Sequence, residues 1–209
     1  GAGDGLVRTM TLAPELKGGK GLVQFCRKNG VVPAFGHSNS DYEGTRAAIS
    51  HGVRYATHLF NAMNGLHHRS PGAVTALLED PRVSVEVISD GHHVDAPALR
   101  LINRLKNEDR VILVSDSIQA CGLADGRYRF AGADVYLKEG VVRQKNGTLA
   151  GSALTLERAL AVQVKEAGEP LEKAVRYCTQ NPARAAGISR SAGIIAAGRR
   201  ADLVLLDSK

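Results

Sequence analysis

The 209 residues contain no tryptophan, two methionines and three cysteines. Aromatic residues amount to 4%, too few for the stacking platforms that bind single-stranded nucleic acid. Cys26, Cys121 and Cys178 are odd in number and lack metal-type spacing. They read as free thiols of a reducing, cytoplasmic compartment, not as a disulfide frame or a zinc knot. No apolar run approaches the roughly 18 residues of a membrane span, and the first residues carry no signal-peptide pattern. Neither a GxGxxG nor a GxxxxGK[ST] run occurs, which argues against a dinucleotide fold and a P-loop.

What is present is a globular composition, 44% hydrophobic and 23% charged, without the low hydrophobicity of a disordered chain. Lysine and arginine number 27 against 21 acids, a net charge of +6, which favours an anionic partner. The basic residues are scattered, the tightest groups being Arg199-Arg200 and His67-His68-Arg69. No stripe suited to nucleic acid is evident. Glycine occurs 23 times, above the usual share of about 7%, which implies many tight connections.

A strand followed by a helix recurs along the chain. Strands are expected at 6–12, 31–35, 54–57, 83–89 and 111–114, and helices at 16–29, 40–50, 72–79 and 96–106. Asn39 or Ser40 is placed to cap the second helix, with Glu43 as the box partner of Ser40. Pro71 suits the opening of the third. Units of this kind imply parallel strands with helical crossovers. Near Gly122 the pattern changes to short strands at 128–130, 134–137, 141–144 and 148–149, with Lys138-Glu139-Gly140 and Asn146-Gly147 as turns. Helices return at 154–167 and 171–180, and an apolar strand is expected at 203–206.

In parallel βα folds the functional side chains gather just past the carboxyl ends of strands. Four of the five expected strands end in a histidine or an aspartate: His37, His58, His93 and Asp116. His37 and His58 stand one βα unit apart. Adjacent strands lie about 5 Å apart, so two such imidazoles suit one shared ion at about 2.0–2.1 Å each. Asp116 suits a proton acceptor from an activated water that later returns the proton to a leaving amine. His93 is a candidate for orienting a substrate carbonyl or binding a hydroxyl, with His92 as its competitor. Asn61-Ala62 and Arg69 form a weak candidate anion cradle. Each of these has an ordinary counterpart: a solvated loop histidine, a helix-capping aspartate, a surface arginine.

Five strings occur here in one order: Thr11-Leu12-Ala13-Pro14-Glu15, Gly36-His37-Ser38-Asn39, Thr57-His58-Leu59-Phe60-Asn61-Ala62-Met63, Asp90-Gly91-His92-His93 and Leu149-Ala150-Gly151-Ser152. Together they resemble the N-acetylglucosamine-6-phosphate deacetylase family of the amidohydrolase superfamily, over nearly the whole chain. The resemblance implies an α/β fold: barrel strands four to eight of a TIM-like (β/α)8 barrel over 1–121, a β-hairpin insertion over 122–150, C-terminal barrel helices over 151–192, and a strand of a small β-sandwich over 193–209. It implies a divalent metal, zinc or iron, with His37 and His58 as ligands. Asp116 becomes the proton shuttle, and His93, Asn61, Ala62 and Arg69 become substrate-binding residues. It implies a sugar-phosphate substrate, a homodimer when complete, and neither nucleic-acid nor membrane partners. The family's usual Thr-Asp is Ser115-Asp116 here. Its HxH motif and its HxEGP-like segment, whose glutamate is a metal ligand, do not occur in these residues, and Glu15 belongs to a different motif. A complete barrel takes about 250 residues, so the chain is expected to be the later part of such an enzyme, weakly active or inactive alone. The rival readings are another amidohydrolase, such as a cyclic-amide hydrolase, and a non-catalytic sugar-phosphate-binding paralogue.

Overall fold

A computed structural model describes residues 3–206. Five parallel strands alternate with helices: β1 (Thr9–Leu12), α1 (Gly19–Lys28), β2 (Val32–Phe35), α2 (Tyr42–His51), β3 (Tyr55–Ala56), α3 (Gly72–Glu79), β4 (Ser84–Val87), α4 (Ala96–Leu105) and β5 (Val111–Leu113). The sheet order is β1-β2-β3-β4-β5, with every pair parallel. Strand order follows chain order without reversal, so right-handed crossovers lay successive helices on the same face.

The side chains agree with that winding. Phe35, Ala56, Val85, Val87, Val111 and Leu113 join Val23, Ile49, Leu77, Leu99 and Ile102 of the helices in one buried cluster. The alternate positions Ala34, Tyr55 and Ile112 form a second, smaller cluster on the opposite face, as the period of two in a strand requires. Glu86 pairs in register with Ile112 and therefore shares that opposite face.

After β5 come three antiparallel strands, β6 (Gly126–Phe130), β7 (Ala133–Lys138) and β8 (Val141–Gln144), forming a separate sheet. Both connections are two residues long, and both residues have positive φ: Ala131 and Gly132 at 48° and 81°, Glu139 and Gly140 at 51° and 79°. That is the turn whose twist matches paired strands. Asn146-Gly147 instead closes a small loop, with the Gln144 amide donating to the Thr148 carbonyl at 2.8 Å. Val135, Leu137 and Val142 pack with Ile118, Ala120 and Ala150, so this sheet has its own core and rests on the chain entering and leaving it. Helices α5 (Leu156–Lys165), α6 (Leu171–Cys178) and α7 (Gln180–Ala185) follow.

Several boundaries differ from the sequence expectation. α1 begins at Gly19 because Gly18 takes a left-handed conformation, φ 86°. The cap of α2 is Asp41, not Asn39 or Ser40: its Oδ1 accepts the Gly44 amide at 2.8 Å. Ser40 is instead drawn inward, its amide donating to Ser38 Oγ at 3.1 Å. Residues 148–149 contribute only a bridge, Arg143 to Leu149. The expected strand at 203–206 is absent: these residues are irregular and exposed, because an apolar run without a neighbouring strand has no ladder to join. The expected end of that segment at Asp207 lies outside the described residues. Among the described residues no helix is long and apolar enough to cross a membrane.

Candidate active site

The exits of β2, β3 and β5 bend through backbone that L-residues seldom adopt. His37, His58, Phe60, Ala62 and Asp116 have φ of 50°, 33°, 76°, 50° and 49°. Such conformations cost of order 1–3 kcal/mol each for ordinary residues and gather where surrounding contacts over-determine them. Here those contacts can be named. Gly36 precedes His37, and a Cβ on it would lie 2.7 Å from Thr11 Cγ2 and 3.0 Å from Thr57 Cβ. Only a glycine lets three strands close up at that level. Thr11 and Thr57 then meet through their hydroxyls at 2.9 Å.

His37 and His58 converge as their spacing predicts. Their Nε2 atoms are 2.9 Å apart, and their rings meet edge to face with centroids 4.7 Å apart. His58 is buried while His37 is exposed. Burial, opposed by the Asp116 charge and reinforced by His37, holds the His58 imidazole below its ordinary pKa, so it favours the neutral form that ligates metals. The His58 Nδ1 atom is buried without a partner.

Two carboxylates hold the histidine loops, one for each, and sequence reasoning assigned neither. Glu15, from the loop after β1, accepts the Ser38 hydroxyl at 2.7 Å and the Asn39 amide at 2.8 Å, one on each oxygen. The Ser38 amide in turn donates to the Ala62 carbonyl at 3.1 Å, which ties the His37 loop to the His58 loop. Glu86, on β4, accepts the Tyr55 hydroxyl at 3.0 Å and the His58 amide at 3.3 Å, while its carbonyl takes the Leu59 amide at 2.8 Å. Burial, aided by the Asp116 charge, raises the Glu86 carboxyl above the usual range against those two hydrogen bonds. Burial and the Glu86 charge likewise raise the Tyr55 phenol. The signal for Glu86 was visible: it is the single acid inside the apolar run 83–88, at an alternate strand position.

Asp116 lies at the exit of β5, exposed and near enough to His58 and Glu86 to shift both. The Leu149-Ala150-Gly151-Ser152 segment returns from the second sheet to hold it. The Ser152 amide donates to the Asp116 carbonyl at 2.9 Å, and the Ser152 hydroxyl donates to the Ser115 carbonyl. A Cβ on Gly151, whose φ is 65°, would press on Ile118 at 2.5 Å and on the Asp116 carbonyl at 3.2 Å.

The remaining candidates are placed differently. His93 pairs with Asp90, Nδ1 to Oδ2 at 2.7 Å. Asn61 spends its side-chain amide on its own turn, donating to the His58 and Leu59 carbonyls at 3.3 and 3.2 Å. Ala62 presents its carbonyl to Ser38, as above. Arg69 sits on an exposed loop, its guanidinium 2.7 Å from the His68 ring. The structure therefore brings His37 and His58 together with Asp116 near His58, while the contacts of His93 and Arg69 run to Asp90 and His68. A cleft of about 430 Å³ lies instead beside Arg46, Glu79 and Arg82, away from all of these groups. Convergent donor atoms, not that cleft, define the candidate site.

Two imidazole nitrogens facing one point suit a borderline divalent ion. Among the described residues no set of three or more histidine, cysteine, aspartate or glutamate side chains forms a metal-holding group.

The N-acetylgalactosamine-6-phosphate deacetylase of Escherichia coli O157:H7 is 39% identical over 202 residues, 97% of this chain and 53% of that protein. The N-acetylglucosamine-6-phosphate deacetylase of Vibrio furnissii is 36% identical over 205 residues, 98% of this chain and 51% of its own length. The chain thus spans about half the length of these curated relatives. A solved structure of an aspartate-to-alanine mutant of the Mycobacterium smegmatis N-acetyl-D-glucosamine-6-phosphate deacetylase, in complex with N-acetyl-D-glucosamine-6-phosphate, superposes with a TM-score of 0.94 at 43% identity. It covers 99% of this chain and 55% of that one. The amidohydrolase family model matches residues 20–209, and on that match the chain belongs to the amidohydrolase family.

Proposed function

We propose that the chain provides the later strands of a (β/α)8 barrel and part of the active site of an enzyme that hydrolyses the acetamide of N-acetylglucosamine 6-phosphate. The observation that carries this reading is the 2.9 Å approach of His37 Nε2 to His58 Nε2 at neighbouring strand exits, with Asp116 beside them. The strictly sequential parallel sheet supports the barrel, since a reversed strand order would have placed helices on both faces. The names of the relatives supply the substrate class.

His37 and His58 would hold zinc or iron through Nε2. When bound, such an ion polarises a carbonyl and brings the pKa of water towards about 7. The residues of the chain do the rest. Asp116 takes a proton from the attacking water as oxygen adds to the acetamide carbon. It returns the proton to the nitrogen as the C–N bond breaks, releasing acetate and glucosamine 6-phosphate. His93 contacts the substrate, and Asn61, Ala62 and Arg69 make the phosphate-contacting loop. For Ala62 that contact runs through backbone; Asn61 has both its side-chain amide and its backbone N–H engaged within the turn, and reaches the phosphate only by giving up one of those bonds. Catalytic zinc sites usually take three protein ligands, so the 209 residues alone hold metal weakly and turn over slowly.

Zinc titrated into the metal-free chain by calorimetry tests the reading. One equivalent binds to the native sequence, and substituting either His37 or His58 by alanine abolishes binding. Binding unaffected by both substitutions would refute the site. Acetate release from N-acetylglucosamine 6-phosphate, its galacto epimer, unphosphorylated N-acetylglucosamine and a cyclic amide then defines the substrate. Release from the cyclic amide alone would refute the deacetylase assignment.

A further inference from the structure

Asp90-Gly91-His92-His93 leaves β4 as a tight turn built on one carboxylate. Asp90 Oδ1 accepts the backbone amides of His92 and His93, both at 2.8 Å. Its Oδ2 faces His93 Nδ1 at 2.7 Å. The two side chains are almost closed off, His93 6% exposed and Asp90 10%. Burial works against the Asp90 charge, but the bonds from the His93 ring and from the two amides outweigh it and hold the carboxyl below its ordinary range.

An ionised carboxylate is an acceptor only. The hydrogen between Asp90 Oδ2 and the ring is therefore carried by Nδ1, and the 2.7 Å separation is that of a charge-assisted bond. A neutral imidazole protonated at Nδ1 has a bare Nε2, which accepts and does not donate. No described residue donates to that atom. An acetamide carbonyl, itself an acceptor, gains nothing from a bare Nε2, whereas a hydroxyl can donate to it.

We infer that Asp90 is a positioning residue that fixes His93 as the Nδ1–H tautomer, so that His93 Nε2 recognises a hydroxyl of the sugar and not the acetamide carbonyl. This rests on the deacetylase reading for the identity of the ligand. The tautomer itself rests on the Asp90–His93 geometry alone.

The test begins with nitrogen-15 spectra of the histidine rings of the native protein at about pH 8, above the ordinary titration of histidine. The expected His93 ring has Nδ1 protonated and Nε2 bare; the opposite pattern overturns the inference without any variant. Asp90→Asn keeps the shape and an oxygen for the two amides but turns an NH2 towards the ring. That is expected to move the proton to Nε2, and the same spectra read the switch. The Kd for N-acetylglucosamine 6-phosphate, measured by calorimetry, is then expected to rise about tenfold. Among mono-deoxy analogues, one is expected to lose affinity on the native protein yet lose little more on the variant, as one shared hydrogen bond requires. A switched tautomer with unchanged Kd, or a penalty independent of every hydroxyl, overturns the hydroxyl assignment. If the native protein does not bind the sugar phosphate at all, the deacetylase reading fails, while the ring spectrum still decides the role of Asp90.

Discussion

Lys106 is 4% exposed at the end of α4, and its ammonium caps a different helix. Nζ donates to the carbonyls of Leu77 at 2.7 Å, Leu78 at 3.2 Å and Asp80 at 2.6 Å. α3 has no basic residue in its last turn, so Lys106 meets carbonyls that a helix end leaves unpaired. Replacing it by methionine keeps the apolar stem and removes the donors. The Asp80 carbonyl keeps the Val83 amide at 3.2 Å, so two carbonyls are left unpaired at about 1–3 kcal/mol each, about 4 kcal/mol in total. Against this stands the cost of burying the charge. Burial, opposed by Asp80 and reinforced by Arg110, brings the Lys106 pKa from 10.5 down to about 8, a penalty of about 3 kcal/mol at neutral pH. The net expectation for Lys106→Met is a loss of about 1 kcal/mol at neutral pH, or roughly 2–4 °C in Tm for a chain of this size.

The pH dependence has a definite sign. The folded pKa lies below the unfolded one, so between pH 8 and 10.5 the unfolded state binds more protons and native stability rises with pH. The methionine variant lacks that rise. The stability gap between native and variant should therefore widen across this window, by up to about 3 kcal/mol. Urea unfolding of both proteins at a series of pH values measures it, and other titrating groups cancel in the difference. A variant as stable as the native protein, with a gap that does not change with pH, would refute the capping argument.

Asp116→Asn should lower kcat about 10²–10⁴-fold while leaving sugar-phosphate affinity nearly unchanged; single-turnover acetate release with parallel calorimetry separates the two. Glu86→Leu should weaken zinc binding about tenfold or more, because it frees the His58 amide and the Tyr55 hydroxyl together. Glu86→Gln should recover part of that loss, and zinc calorimetry on both variants checks it. Arg69→Ala should raise KM for the phosphorylated sugar and leave the unphosphorylated one unaffected. Equal changes for both sugars would remove Arg69 from phosphate recognition.

The alternation of strand and helix was legible because local patterns produce it. Apolar runs of four or five residues, glycines at helix ends and the proline before α3 are all short-range signals. The second sheet was legible for the same reason, although the turns that make it are Ala131-Gly132 and Glu139-Gly140, whose left-handed pairs the sequence does not advertise as strongly as Asn146-Gly147. The strand expected at 203–206 shows the limit of the method. Periodicity reports that a segment is apolar, and only a partner edge turns that into a strand.

The site divides along the same line. His37, His58 and Asp116 were legible because each stands at a strand exit, a position that sequence fixes within a residue or two. The groups that make those exits rigid were not. Glu15 lies 23 residues from Ser38, Glu86 lies 28 from His58, and Ser152 lies 37 from Ser115, and no local pattern carries separations of that kind. Each of these contacts ends on a backbone group in the loop of a catalytic candidate or on the residue beside it. The strained φ values at His37, His58 and Asp116 need such support, because left-handed backbone at a non-glycine residue persists only where its neighbours enforce it. An acid in a strand otherwise built of serine and valine is costly unless something needs its oxygens. At Glu86 that something is the His58 amide, and this makes the isolated acid a marker of the histidine it holds.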